Sequence, residues 1–259
     1  MELLRRLDRR LIRYPGMPWL WLTRERSIQE RFRYCLAVLE DLDLDSPSVI
    51  DVGCGSGLLL RFLQQYRRGI ARYSGIDHRI DRLSERYAGS PVPHEFREVP
   101  LDSEWTASPA DFAWCSEVLE HLFEDATVMR RIAAAVRPGG HVAVTVPSQT
   151  FLENMAPQHE IALAVSTTQD GGHVRVGYTR QSLTALAEGA GLRVLRVDAV
   201  SPRTSREYGM RHNLPYLVWQ ATDRVPMAGE PPYVFGADDG QLGRYASIAA
   251  VMQRPAGKG

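Results

Sequence analysis

An α/β fold on a doubly wound, mostly parallel sheet is what this sequence predicts, and three observations predict it. From residue 47 onward, short apolar runs alternate with helical patterns, the signature of βαβ units rather than hairpins. One of these runs, Val49-Ile50-Asp51-Val52, passes directly into Gly53-Cys54-Gly55-Ser56-Gly57 and then into a helical pattern, a turn in which glycine lets backbone approach a ligand closely. The chain has 259 residues, 44% apolar and 24% charged, enough for one well-buried domain and far from disordered compositions.

Read in order, residues 1–44 form an N-terminal helical arm. Leu3, Leu4, Leu7 and Leu11 share one stripe over Met1–Arg13 with five arginines on the remaining surface, so the segment reads as a basic amphipathic helix. Pro15, Gly16 and Pro18 break it, and a second helix is expected over about Arg24–Leu42, with Ile28, Phe32, Cys35, Leu36 and Leu39 in phase. Nine arginines against four acids in residues 1–33 make the arm locally positive. A packed lid is expected there, with weak contact to a membrane surface as the alternative.

Residues 45–201 read as the core. Strands are expected at Ser48–Val52, Arg72–Asp77, Glu95–Val99, Asp111–Cys115 and His141–Val146, with helices over Leu58–Tyr66, Ile80–Tyr87 and Glu124–Val136. A Pro138-Gly139-Gly140 turn is expected to stop the last of these helices. An irregular stretch over Pro147–Tyr178 leads to a helix at Arg180–Gly189 and a strand at Leu192–Val200. Residues 202–243, rich in Pro, Gly, Tyr and Trp, read as a lid-like insertion, and 244–259 as the last strand and a tail.

Basic and acidic residues balance at 31 each, with pI near 7.1, so the overall field argues against a nucleic-acid partner. Cys35, Cys54 and Cys115 match no zinc module, and no long apolar segment interrupts the chain; a cytoplasmic protein without a transmembrane segment is expected. The glycine turn is G-x-G-x-G, and Leu58 occupies the position that would complete G-x-G-x-x-G. The dinucleotide fingerprint therefore fails at its third glycine.

With Asp77 closing Tyr73-Ser74-Gly75-Ile76-Asp77, then Cys115-Ser116-Glu117-Val118-Leu119-Glu120-His121-Leu122 and Arg137-Pro138-Gly139-Gly140, the chain resembles the class I S-adenosylmethionine-dependent methyltransferases across about residues 47–148. The segment Gly172-His173-Val174-Arg175-Val176-Gly177-Tyr178-Thr179-Arg180 extends the likeness to about residue 200. The resemblance implies a Rossmann-like sheet of seven strands, the last antiparallel, and S-adenosylmethionine as cofactor with S-adenosylhomocysteine as product. It places Asp51, Gly53, Cys54, Gly55, Gly57, Asp77, His78, Asp102, Ser116 and Glu117 on the cofactor side, with Asp77 accepting from the ribose hydroxyls.

The acceptor is expected to be an O or N atom of a small molecule, and the chain a monomer or homodimer. His121 is the first candidate base and His173 the second, with His159 beside it, because a neutral imidazole is available near pH 7. Glu117, Glu120, His121 and His173 also resemble the divalent-ion set of some RNA 2′-O-methyltransferases and quinone-precursor O-methyltransferases; a metal-free site is the preferred expectation. A non-catalytic scaffold of the same fold is the remaining alternative.

Overall fold

The computed structural model of the chain describes residues 26–66, 69–155, 165–168, 172–202 and 231–257. The expected helix over Met1–Arg13, and His159, lie outside these residues. Eight strands form one sheet: β1 Ser48–Val52, β2 Arg72–Asp77, β3 His94–Glu98, β4 Ala110–Ser116, β5 Val136–Pro147, β6 Arg193–Pro202, β7 Tyr233–Val234 and β8 Tyr245–Gln253. Their order is β3-β2-β1-β4-β5-β8-β6-β7. The first five pair in parallel, while β8 runs antiparallel between β5 and β6. The helices are α1 Arg26–Asp41, α2 Leu58–Tyr66, α3 Leu83–Arg86, α4 Asp125–Ala135, α5 Gln149–Met155, α6 Arg180–Gly189 and α7 Asp239–Leu242. Among the described residues, no helix is long and apolar enough to cross a membrane.

The central strands are nearly continuous apolar runs because both of their faces are covered. Alternate residues feed two cores. Ile50, Ala113, Cys115 and Val144 pack with Val128, Met129 and Ile132 of α4 and Leu183 of α6. Val49, Phe112 and Trp114 pack on the other face with Tyr34, Val38 and Leu39 of α1 and Leu59, Leu60 and Leu63 of α2. Helix α6 begins at a capping box in which the Thr179 side chain accepts from the Ser182 amide, satisfying a donor that the first turn leaves open.

The structure departs from the sequence reading in several places. An eighth strand, β7, is added: two residues that pair with Ala199 and Val200 of β6. Helix α4 stops at Ala135 and Val136 already belongs to β5, so Pro138-Gly139-Gly140 is no separate turn. There Gly139, at φ +79°, exchanges backbone hydrogen bonds with the chain beyond β8: its amide donates to Arg254, and the Arg254 amide to Gly140, both at 2.9 Å. The helix expected over Ile80–Tyr87 shrinks to α3, which Arg82 enters at φ +55°. The stretch expected to be irregular after Pro147 holds α5. Strand β3 starts one residue earlier than expected and ends at Glu98.

Helix α1 is fixed to the far side of the sheet by a buried carboxylate. Asp198 on β6 accepts from the Tyr34 hydroxyl at 2.7 Å, Arg196 Nε at 2.8 Å and the Gly236 amide at 2.7 Å. Arg196 also reaches Asp41 at 2.6 Å and lies 4.2 Å from the Phe235 ring centroid. Removing one member of such a group leaves its charged partner desolvated and unpaired. Asp198→Ala is therefore expected to cost about 3 kcal/mol and Tyr34→Phe about 1 kcal/mol, both read from urea unfolding.

Candidate active site

In a sheet whose order reverses between β2 and β4, ligands bind at the carboxyl end of the strand between them, and that strand is β1. Its last residues fold onto β2: the amides of Gly53 and Cys54 both donate to the Ile76 carbonyl, at 2.7 and 3.1 Å. The glycines are required by space as well as by conformation. At Gly53, φ +79°, an added Cβ would stand 2.2 Å from Val118 Cγ2, and at Gly57, φ +71°, 2.9 Å from the Tyr87 ring. Gly55, at φ +52°, differs: among the described residues an added Cβ there meets no heavy atom within 4 Å, so they leave room beside it. Its amide donates to Asp77 Oδ2 at 2.8 Å, while Asp77 Oδ1 accepts from the Arg79 amide and lies 2.8 Å from His78 Nδ1.

Beneath the turn, Asp51 accepts from the Tyr73 hydroxyl. Burial first, and the nearby Asp77 charge in addition, push its carboxyl up to about 7 against the lowering effect of that hydrogen bond. The Cys54 sulfur lies over Gly75, and burial raises its pKa, so the thiol stays protonated and lines the turn passively.

The second wall forms at the end of β4. Glu117 adopts φ +53°, uncommon for a side-chain-bearing residue and typical of functional sites. Its amide donates to the Thr145 carbonyl at 2.9 Å, and its Oε1 accepts from the Thr145 hydroxyl, which is in turn 2.8 Å from Ser116 Oγ. A single 3₁₀ turn, Leu119–His121, follows. Glu120 in that turn is 0% exposed, and neither carboxylate oxygen has a hydrogen-bond partner among the described residues. Burial first, then the charge of Glu117, push its carboxyl up to about 9.

His121 Nδ1 lies 3.0 Å from the Gly172 carbonyl. The hydrogen bond requires the proton on Nδ1, which leaves the Nε2 lone pair, 3.8 Å from Glu120 Oε1, directed to the carboxylate side. The His173 ring stands nearly perpendicular to that of His121, with centroids 4.8 Å apart. One ligand-type atom from each of Glu120, His121 and His173 lies within 4.8 Å of the others.

The expected site residues thus fall into three groups. Asp51, Gly53, Cys54, Gly55, Gly57, Asp77 and His78 meet at the β1 turn; Ser116 and Glu117 share the Thr145 hydroxyl; and Glu120, His121 and His173 form the cluster. Glu117 bonds to Thr145 and does not join that cluster, and Asp102 stands exposed on the turn after β3. Sequence reasoning missed Thr145, whose one available signal was a lone hydroxyl within Val142-Ala143-Val144-Thr145-Val146. It also missed Tyr87, whose hydroxyl donates to the Gly57 carbonyl at 2.7 Å; nothing local marks that residue.

Residues 21–197 match the family described as a methyltransferase domain. The chain belongs to the S-adenosylmethionine-dependent methyltransferases. It is 31% identical over 186 residues to a ubiquinone biosynthesis O-methyltransferase of Ralstonia nicotianae, covering 64% of this chain and 71% of that one. It is 29% identical over 161 residues to the enzyme of that name from Aeromonas salmonicida, 59% and 65% being covered. In several further relatives the matched stretch spans less than half their length, 45% in that of Stutzerimonas stutzeri.

In fold, the chain is similar to the [4+2]-cyclase SpnF, with TM-score 0.55 at 19% identity over 88% of this chain and 82% of that one. It is similar as well to the N-methyltransferase NodS of Bradyrhizobium japonicum in complex with S-adenosylhomocysteine, with TM-score 0.54 at 15% identity over 97% and 98%.

Two outcomes follow from this geometry. Asp77→Ala is expected to weaken S-adenosylmethionine binding by about 1.5–3 kcal/mol, the worth of hydrogen bonds to a charged group, in calorimetric titration. Glu120 binds a proton in the folded state up to about pH 9 but in the unfolded state only to about 4.3; folding stability must therefore fall as pH rises between these values. Glu120→Gln is expected to flatten that slope and to melt higher than the parent at pH 8 in the presence of chelator.

Proposed function

We propose that this methyltransferase acts on a hydroxyl oxygen of a small hydroxylated ring compound, of the quinone-precursor kind named for its relatives. The observation that carries the reading is the pair of imidazoles, His121 and His173, gathered beside Glu120 where β4 ends. A ring hydroxyl must lose its proton as its oxygen is methylated, and a neutral imidazole near pH 7 is suited to take it.

The cofactor supplies a methyl group already activated on a sulfonium, so orientation dominates and can be worth roughly 7–11 kcal/mol. Asp51, Gly53, Cys54, Gly55, Gly57 and Asp77 hold the nucleoside end in this reading. The room left at Gly55 admits the ligand, and Asp77, whose Oδ1 is engaged by the Arg79 amide and His78 while Oδ2 accepts only the Gly55 amide, keeps a lone pair on Oδ2 for a ribose hydroxyl. Ser116 and Glu117, fixed through Thr145, face the amino-acid end. His121, oriented by the Gly172 carbonyl, takes the acceptor proton at Nε2, and His173 closes the same side.

The orphaned Glu120 carboxylate supports a second reading of the same corner. A buried acid with neither oxygen partnered, beside two imidazoles, is a donor set of the kind that suits a divalent cation. Glu120, His121 and His173 would hold it, with Glu117 in reserve. Such an ion would lower the pKa of the acceptor hydroxyl and orient it.

The test is calorimetric titration with S-adenosylmethionine and S-adenosylhomocysteine, with Mg²⁺ and then with chelator, followed by transfer of labelled methyl to dihydroxybenzoate acceptors. Binding without transfer to any hydroxyl acceptor overturns the substrate class. Turnover indifferent to chelator overturns the cation reading. His121→Ala is expected to lower turnover at saturating cofactor by about 10²–10⁴-fold with cofactor affinity unchanged.

A further inference from the structure

His173 and its two partners come from chain segments some fifty residues apart, so something must hold those segments in register. The backbone on either side of His173 is tied to the cluster: the Gly172 carbonyl to His121 Nδ1 at 3.0 Å, and the Val174 amide to the Glu120 carbonyl at 2.8 Å. The side-chain link is Arg175. Its Nη1 donates to Asp125 Oδ2 and its Nη2 to the Leu122 carbonyl, both at 2.5 Å, with the Phe123 carbonyl at 3.3 Å. The Tyr178 hydroxyl donates to the same Asp125 oxygen at 2.8 Å, and the guanidinium lies 5.5 Å from the Tyr178 ring centroid. The fork therefore joins the His173 segment both to the carbonyls leaving the Glu120–His121 turn and to the first residue of α4.

This arrangement is not the one that stability alone would select. Among the described residues, Arg175 Nε is buried without a hydrogen-bond partner, as are both oxygens of Glu120 in the turn to which the Arg175 segment is tied, and such groups are destabilising. Unsatisfied buried atoms are rare in native proteins, and three of them, Arg175 Nε and the two Glu120 oxygens, belong to residues of this corner. A planar fork with donors in fixed directions can span a carboxylate and two carbonyls at once; a lysine ammonium is a point charge on a flexible stem.

We propose that Arg175, acting through Asp125 and the carbonyls of Leu122 and Phe123, is the positioning residue that keeps His173 against His121 and Glu120. The inference rests on the reading of those three residues as the reacting cluster, and nothing in it requires Arg175 to touch the substrate.

The decisive measurement uses full-length protein with labelled histidine, free of metal, with resonances assigned from single-histidine variants. Rings 4.8 Å apart should give a nuclear Overhauser contact between His121 and His173 in the parent protein. Arg175→Met should abolish it and weaken Mn²⁺ binding at least tenfold, with the dissociation constant for S-adenosylmethionine within twofold of the parent value. Arg175→Met combined with His173→Ala should bind Mn²⁺ no more weakly than His173→Ala alone, since both remove one feature.

If Arg175 is merely a stabilising residue, Arg175→Met will lower the melting temperature while the ring contact and Mn²⁺ affinity persist, and the proposal fails; it fails also if the two losses multiply or the parent shows no ring contact. A parent protein with the ring contact but no Mn²⁺ binding overturns the cation reading alone, and loss of the contact in Arg175→Met still decides the clasp. Should Arg175→Met not fold, Asp125→Asn, which keeps the side-chain shape and removes the charge, is judged on the same two readouts.

Discussion

Everything at the active site hangs from the pairing of β1 with β2 on one side and β4 on the other. Asp51 sits opposite Gly75 and Trp114 in these two ladders, so the three strands end at nearly one level. The crossovers leave that level in opposite directions, which is where such sheets bind ligands. The backbone has few ways to turn there. The first two amides beyond β1 share the Ile76 carbonyl, and the tight turn that results admits glycine alone at positions that press on Val118 and Tyr87. The cofactor turn is thus a consequence of strand pairing, and Asp77 reaches it because β2 ends in the same plane.

Two buried carboxylates in this protein, one joining a helix to the sheet and one in the candidate site, have very different surroundings. Asp198 is fully buried, yet its oxygens collect a hydroxyl, a guanidinium and an amide, and with these partners it joins α1 to the sheet. Glu120 is equally buried, and among the described residues neither of its oxygens accepts a hydrogen bond. A protein gains no stability from such a carboxylate, so its retention points to an occupant or a reaction. Glu117, half-buried, has a positive φ and a side chain that accepts from the Thr145 hydroxyl.

How much of this could be read from the residues follows from where each determinant lies. Strands such as Val49–Val52 and His141–Val146 were legible because burial on both faces writes an unbroken apolar run. The glycine turn was legible because its chemistry is contiguous. Strand β7 was not, since two residues carry no period, and Pro138-Gly139-Gly140 was misread because its pairing with Arg254 spans more than a hundred positions. Helical spacing would place Glu117, Glu120 and His121 on one face, but the positive φ of Glu117 and the 3₁₀ turn after it turn Glu117 toward Thr145. Arg175 and Asp125 were out of reach for the same reason as Thr145: each acquires its meaning only from a partner distant in sequence.

Charge supplies the remaining step. The chain as a whole is neutral, with 31 bases and 31 acids, but the carboxyl ends of β1, β2 and β4 hold Asp51, Asp77, Glu117 and Glu120 within one crevice. Like charges there add to desolvation: the charge of Asp77 helps raise the Asp51 carboxyl, and that of Glu117 the Glu120 carboxyl. A cation entering the crevice reverses that balance, since it interacts favourably with every one of these groups in their ionised form. The fold alone does not select the chemistry, for SpnF carries the same architecture as a cyclase. What distinguishes this chain is the corner where β4 ends, at which a carboxylate and two imidazoles are brought together across some fifty residues by the backbone of Gly172 and Val174 and by the Arg175 fork.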